Sequence, residues 1–238
     1  MNLDAMLRLI GVSKRYGGLV AVDDVTLAFS WEEISAVIGS NGAGKTTLFS
    51  LIAGTTVPSR GRILFHGQDI TGISPHRICR LGIGRTFQVV RPFRALTVRA
   101  HLRAASLFGR KYPLTEQEVA ELLDLTQLGR WATDPASTLN LAGCKRLEIA
   151  RALATGATLL LLDEAIAGLT PEETLQAIEL IRNIRESGRT VLLIEHVLSA
   201  VKSLCQRVIV MDYGEVIADG PPEQVLASEV VRVAYLGE

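Results

Sequence analysis

The sequence predicts an α/β fold: a mostly parallel core sheet, an antiparallel β subdomain beside it, and a helical subdomain. Three observations carry this. In the second half, unbroken apolar runs such as "ATLLLLDE" and "TVLLIEH" alternate with helix-patterned segments. A strand buried on both faces reads as such a run, and strand–helix alternation implies a parallel sheet. The first part holds short strand-like runs broken by turn residues, and residues from about Ala95 to Ala136 show no strand pattern at all.

Taken in order, "LRLIGV", "VTLAF" and "ISAVIG" are strand-like, with "YGG" and "SWEE" as turns between them, and "GRILFHG" adds another. "TEQEVAELLDL" opens a helix: Thr115 and Glu118 form a capping box ahead of an amphipathic pattern. "KRLEIARALA" is helical, with Leu147, Ala150 and Leu153 at helical spacing. "TPEETLQAIELIRNIRESG" is a second capped helix, with Thr170 as N-cap, Pro171 in the first turn, Glu173 closing the box and Gly188 past the end. "TVLLIEH", "RVIVMD" and the short "GEVIADG" complete the strands.

Composition narrows the function classes. The chain has 238 residues, 48% apolar and 21% charged, a globular balance with length for a real core. Lys plus Arg and Asp plus Glu are both 25, so the net charge is zero, which argues against a nucleic-acid partner. No apolar run approaches the roughly 20 residues that span a bilayer, and "MNLDAMLRLIGV" lacks a signal-peptide layout. Cys79, Cys144 and Cys205 are odd in number and far apart, with no disulfide or metal spacing. The expectation is a reduced, cytosolic compartment, with any membrane association peripheral and through a partner.

One motif dominates. "GSNGAGKTT" fits G-x-x-x-x-G-K-[ST] after an apolar strand and before a helical run. Its residues, Gly39, Ser40, Asn41, Gly42, Ala43, Gly44, Lys45, Thr46 and Thr47, are the expected P-loop NTPase phosphate cradle for ATP. Backbone N–H groups curl around phosphate oxygens, and the helix N-terminus faces the same charge. Lys45 is expected to reach the β- and γ-phosphates, and the Thr46 hydroxyl to ligate Mg²⁺. A Gly-rich turn with a surface lysine is the bland alternative, disfavoured by the strand before and the helix after.

Phosphoryl transfer also needs a second metal contact and a group that positions water. Asp163 and Glu164, ending "LLLLDE", supply both: Asp163 for Mg²⁺, Glu164 as general base. A surface acidic pair is the alternative. His196 ends the next buried strand. Parallel strands present their C-terminal ends at one edge, so His196 is expected near the same phosphates as a hydrogen-bond donor; otherwise it is a satisfied strand-end histidine.

These motifs, in this order, resemble the nucleotide-binding subunit of an ATP-binding cassette (ABC) transporter over almost the whole chain. The resemblance implies a single ABC ATPase domain, with residues 1–94 and 137–238 as RecA-like core plus antiparallel β subdomain. Residues of about 95–136, with the helix after them, would be the helical subdomain. Tyr16 in "VSKRYGG" matches the loop aromatic that stacks on adenine. Gln88 in "GRTFQVVRPF" matches the Q-loop glutamine, which meets Mg²⁺ and the attacking water and links the site to a permease. "AGLT", with Gly168, Leu169 and Thr170, matches the D-loop, and His196 the switch histidine. "LNLAG" stands where LSGGQ is expected, putting Asn140, Leu141, Ala142 and Gly143 in the signature loop that caps the other subunit's ATP. The apolar "VVRPF" after Gln88 is a candidate permease-docking surface, with ordinary core as its alternative.

"GIGRTFQVVRPFRALTV", "LLLLDEAIAGLTPEE" and "AYLGE" narrow the match to ATPases of branched-chain amino acid, urea and short-chain amide uptake. What this implies is an importer: two ATPase subunits, two transmembrane permeases and an external solute-binding protein, with this chain on the cytoplasmic face. The second ATPase is either another copy or a paralogue.

Seven positions depart from the family pattern, four of them in one loop. Ser40 and Ala165 stand where proline is common, and Thr170 replaces Asp or Asn while also reading as an N-cap. In the signature loop only Leu139 survives of LSGGQ. Asn140 keeps an NH₂ donor and Gly143 permits close approach, but Leu141 would crowd a phosphate unless its side chain turns away. Two rivals remain at this stage. One is an ABC ATPase without a permease, acting in repair or translation. The other is a binding-only cassette whose altered loop has lost catalysis.

Overall fold

The computed structural model describes residues 5–86 and 92–233. Strands β1 (Leu7–Tyr16) and β2 (Leu19–Phe29) pair as an antiparallel hairpin. Strand β3 (Ile34–Gly39) runs into α1 (Lys45–Ile52), then β4 (Arg60–Phe65) and β5 (Gln68–Asp69) follow. Next come α2 (Pro75–Leu81), β6 (Ile83–Arg85), α3 (Val98–Gly109), α4 (Glu116–Leu125) and α5 (Leu141–Ala154). The last third alternates: β7 (Leu159–Asp163), α6 (Pro171–Glu186), β8 (Thr190–Ile194), α7 (Leu198–Leu204), β9 (Arg207–Asp212), β10 (Glu215–Gly220) and α8 (Pro222–Ala227).

The strands form two sheets, as the apolar runs imply. One is antiparallel, in the order β2-β1-β4-β5; the other has six strands in the order β10-β9-β3-β8-β7-β6. Its pairings from β9 to β6 are parallel, and β10 closes one edge antiparallel to β9. Period-two geometry sorts its unbroken apolar runs onto two faces. Leu160, Leu162, Leu193 and Val210 face the core shared with α5 and α6, while Leu161, Leu192, Ile194 and Met211 face α1 and the antiparallel sheet. Both faces are thus covered, and the parallel strands end together at one edge.

Both expected capping boxes are present. Thr115 accepts from Glu118 N at the start of α4, Thr170 accepts from Glu173 N at the start of α6, and both Glu side chains reach back. Residues from Ala95 to Ala136 hold α3, α4 and a 3₁₀ turn (Gly129–Trp131), with a second 3₁₀ turn (Ala136–Thr138) at their end and only an isolated bridge, Thr97 to Pro135, of β character. Strand β6 and helix α2 were not expected from the sequence: three residues are too few to display a period. Among the described residues no helix is long and apolar enough to cross a membrane.

Candidate active site

Strand β3 ends at Gly39, which has φ 148° and whose added Cβ would lie 2.1 Å from the Met211 carbonyl oxygen. The loop then turns around Gly42 and enters α1 through Gly44, at φ 102°. A Cβ on Gly44 would sit 2.3 Å from the Ala21 carbonyl oxygen. Gly39 and Gly44 are therefore required by both backbone angle and space, and Gly42, at φ 83° with open space around it, by backbone angle alone. Gly44→Ala is expected to cost about 1–3 kcal/mol of stability and to weaken ATP binding, which thermal unfolding and nucleotide titration would measure; an unchanged midpoint and affinity would contradict this.

Lys45 is 6% exposed, and its ammonium donates to the carbonyl oxygens of Gly39 and Ser40, each at 2.7 Å. Burial pushes its pKa down, opposed by the nearby carboxylates of Glu164 and Asp163. A desolvated cation held by two weak acceptors at the mouth of a glycine loop is well prepared to receive phosphate oxygens.

The parallel register places the acids opposite it. Asp163 pairs with Ile194 across β7 and β8, and Glu164 N donates to Ile194 O at 2.9 Å. Glu164 adopts φ 51°, the left-handed region, which turns its side chain towards the P-loop. His196 Nε2 lies 3.3 Å from Glu164 Oε1. Tyr16, Asn41 to Thr47, Glu164 and His196 all line one cleft of about 380 Å³. Tyr16 is 47% exposed at its mouth, with Lys14 Nζ 4.9 Å from the ring centroid. Gln88 lies outside the described residues, as do Val89, Val90 and Arg91 of "VVRPF"; Phe93 of that run is exposed.

Asp163 brings a partner that the sequence reading missed. Arg85, at the end of β6, reaches it with Nη2 at 3.3 Å from Oδ2, and holds Ser50 Oγ with Nη1 at 3.1 Å. Burial pushes the Asp163 carboxyl up, with Arg85 pulling it down. The lone cation in "GIGRTFQ", three residues before Gln88, was the available signal. The Thr46 hydroxyl and Asp163 carboxylate make an all-oxygen donor set. A carboxylate that burial disfavours is one whose ionised form a cation would stabilise, so the residues fit Mg²⁺.

The signature loop is partly a helix. Asn140 is the N-cap of α5: its Oδ1 accepts from Gly143 N at 2.9 Å, and its Nδ2 donates to Glu173 Oε1 at 3.2 Å. The Gly143 N–H is thereby used within the chain, leaving the Leu141 and Ala142 N–H groups at the exposed helix end. Leu141 is half-exposed and lies over the D-loop, its Cδ2 being 3.5 Å from where a Cβ on Gly168 would stand. Glu173 also accepts from Thr170 N through Oε2, at 3.0 Å, while Thr170 Oγ1 caps α6. One carboxylate therefore joins the signature loop to the D-loop.

Comparisons with known proteins agree with this geometry. The ABC transporter family model matches residues 22–167, and the branched-chain amino acid ATP-binding cassette transporter model matches residues 215–238. The chain is 39% identical to the high-affinity branched-chain amino acid transport ATP-binding protein BraF of Pseudomonas aeruginosa, covering 98% of each chain. It is 40% identical to the corresponding protein LivG of Escherichia coli, again covering 98% of each. Among solved structures, a nucleotide-free ATP-binding cassette from an ABC transporter superposes with a TM-score of 0.89 at 29% identity, over 98% of this chain and 100% of that one. The cleft at the sheet edge, the full-length relatives and the matching fold together place the chain in the ABC transporter family, as one of its ATPase cassettes.

Proposed function

We propose that this ATPase powers import of branched-chain amino acids or a closely related small polar solute. The observation that carries the reading is the single cleft joining the P-loop to Glu164 and His196, in a chain whose relatives of matching length are branched-chain amino acid transport ATP-binding proteins. In this reading Gly39 to Thr47 hold the phosphates, Tyr16 stacks on adenine, and Thr46, Asp163 and Gln88 hold Mg²⁺. When bound, the metal neutralises charge on the β- and γ-phosphates. Glu164 takes a proton from the attacking water, and His196 holds that carboxylate and donates to the γ-phosphate.

The cassette works at the cytoplasmic face of the membrane through permease subunits, with an external binding protein delivering solute. Residues 1–94 and 137–238 act as the core, and 95–136 with α5 as a helical arm. Asn140 to Gly143 and Gly168 to Thr170 meet a second ATPase, either another copy or, as the resemblance to two-ATPase uptake systems favours, a paralogue. Reconstituted with permease subunits, the complex is expected to take up radiolabelled leucine with ATP hydrolysis. Hydrolysis stimulated by urea or amides but not leucine would reassign the solute, and association with ribosomes or DNA in place of membranes would overturn the transport role.

Asn140 tests the trans contact. Asn140→Asp keeps the capping acceptor but loses the donor and sets a carboxylate beside Glu173. It is expected to lower turnover more than ATP affinity, whereas Asn140→Ala also loses about 1 kcal/mol of stability through the cap. Equal turnover in Asn140→Asp and wild type would remove Asn140 from the site.

A further inference from the structure

The segment from Glu164 to Ala167 is short, turns sharply, and contains no proline. Glu164 sits at φ 51°, a conformation that costs a non-glycine residue free energy and persists only where the surroundings impose it. Two ionisable side chains outside the described cleft hold this turn. Lys145, one turn into α5, donates through Nζ to the Glu164 carbonyl oxygen at 2.6 Å and to the Ala167 carbonyl oxygen at 2.5 Å. Glu195, fully buried at the end of β8, accepts from Ile166 N through Oε1 at 2.7 Å. Its Oε2 has no hydrogen-bond partner among the described residues.

We infer that Lys145 is a positioning residue for Glu164, gripping from α5 the main chain at both ends of the turn that leads from Glu164 to the D-loop, with Glu195 fixing Ile166 between them. The grip is specific in kind. An ammonium offers three donors and satisfies two inward-facing carbonyls at once, which no apolar residue at this position would do. Because α5 also carries Asn140 to Gly143, Lys145 ties the helix that meets the partner's nucleotide to the carboxylate that serves this subunit's own. A shift of α5 on closure is thereby felt at Glu164 without passing through the P-loop.

This rests on Glu164 being the general base, and the test separates the two ideas. ATP hydrolysis is measured in the assembled transporter for Glu164→Gln, Lys145→Met, Lys145→Arg and the double variant Lys145→Met/Glu164→Gln. Lys145→Met is expected to lower kcat by about ten- to a hundred-fold, the scale of a small misplacement of a reacting group, with KM for ATP within about two-fold of wild type. Lys145→Arg keeps the donors and is expected to restore most of the rate. The double variant is expected to be no slower than Glu164→Gln, because both changes act through one group. An unchanged kcat in Lys145→Met, or a double variant slower still, would overturn the inference. A wild-type rate in Glu164→Gln would overturn the base assignment instead. If Lys145→Met does not fold, Glu195→Leu, which strands the Ile166 N–H, is expected to show the same selective loss of kcat; an unaffected kcat there also counts against the inference.

Discussion

Glu164→Gln is expected to lower ATP hydrolysis by about 10²- to 10⁴-fold, the usual contribution of a general base, while ATP still binds. The amide is nearly isosteric, so the hydrogen bonds made by the Glu164 main chain, N to Ile194 O and O from Lys145 Nζ, remain. What disappears is the carboxylate oxygen proposed to take the water's proton, which faces His196 Nε2 at 3.3 Å. The Lys45 ammonium keeps its bonds to the Gly39 and Ser40 carbonyls and loses only the nearby Glu164 charge, so the phosphate binding proposed for the glycine loop is retained. Single-turnover hydrolysis and equilibrium nucleotide binding in the same preparation separate the two effects. If the wild-type complex binds ATP yet turns over no faster than Glu164→Gln, the cassette is a binding module and not a motor.

The second large effect is on stability. Burial pushes the Glu195 carboxyl up to about 7, with the Ile166 N–H and then Lys145 opposing it. Glu164 on the neighbouring turn adds like-charge repulsion, and the Cys205 thiol, itself pushed up to about 12 chiefly by burial, faces the same carboxylate. The folded state thus holds a proton that the unfolded chain releases near its ordinary carboxyl pKa. Between that pH and about 7 the folded state binds more protons, so stability falls as pH rises. A shift of this size corresponds to about 3 kcal/mol. Glu195→Gln has no proton to lose, and its Oε1 still accepts from Ile166 N. The stability of wild type relative to Glu195→Gln is therefore expected to drop by about 3 kcal/mol from pH 4.5 to pH 7.5 and then level off. Denaturant unfolding at several pH values measures it, and a difference that stays constant across the range would contradict a neutral buried acid.

Much of the site is legible in the sequence because its residues are fixed by local geometry. The P-loop glycines, Lys45 and the strand before them occupy one continuous run, and Asp163, Glu164 and His196 each end an apolar strand whose neighbours are parallel. The capping boxes at Thr115 and Thr170 are legible for the same reason: both partners lie within one turn. What escaped are contacts between residues distant in the chain. Arg85 meets Asp163 across 78 positions, Ile166 meets Glu195 across 29, and Asn140 meets Glu173 across 33. No periodicity encodes such pairs. Even so, a lone cation three residues before Gln88 and an acid just before His196 are unusual enough to mark them for inspection. The signature loop is the instructive case. Its five letters read as a loop with one surviving position, but a helix start needs only a capping oxygen and a following N–H, and Asn140 with Gly143 supplies both.

The carboxylate of Glu173, shared between Asn140 and the Thr170 main chain, has a consequence for how such cassettes diverge. A substitution at any one of the three leaves a neighbour without its hydrogen-bond partner, so drift at these positions is expected to be concerted, with the residues at 140, 170 and 173 inherited as a set. Grafting LSGGQ alone into this chain would then remove the Asn140 Nδ2 bond to Glu173, the residue that also closes the capping box of α6.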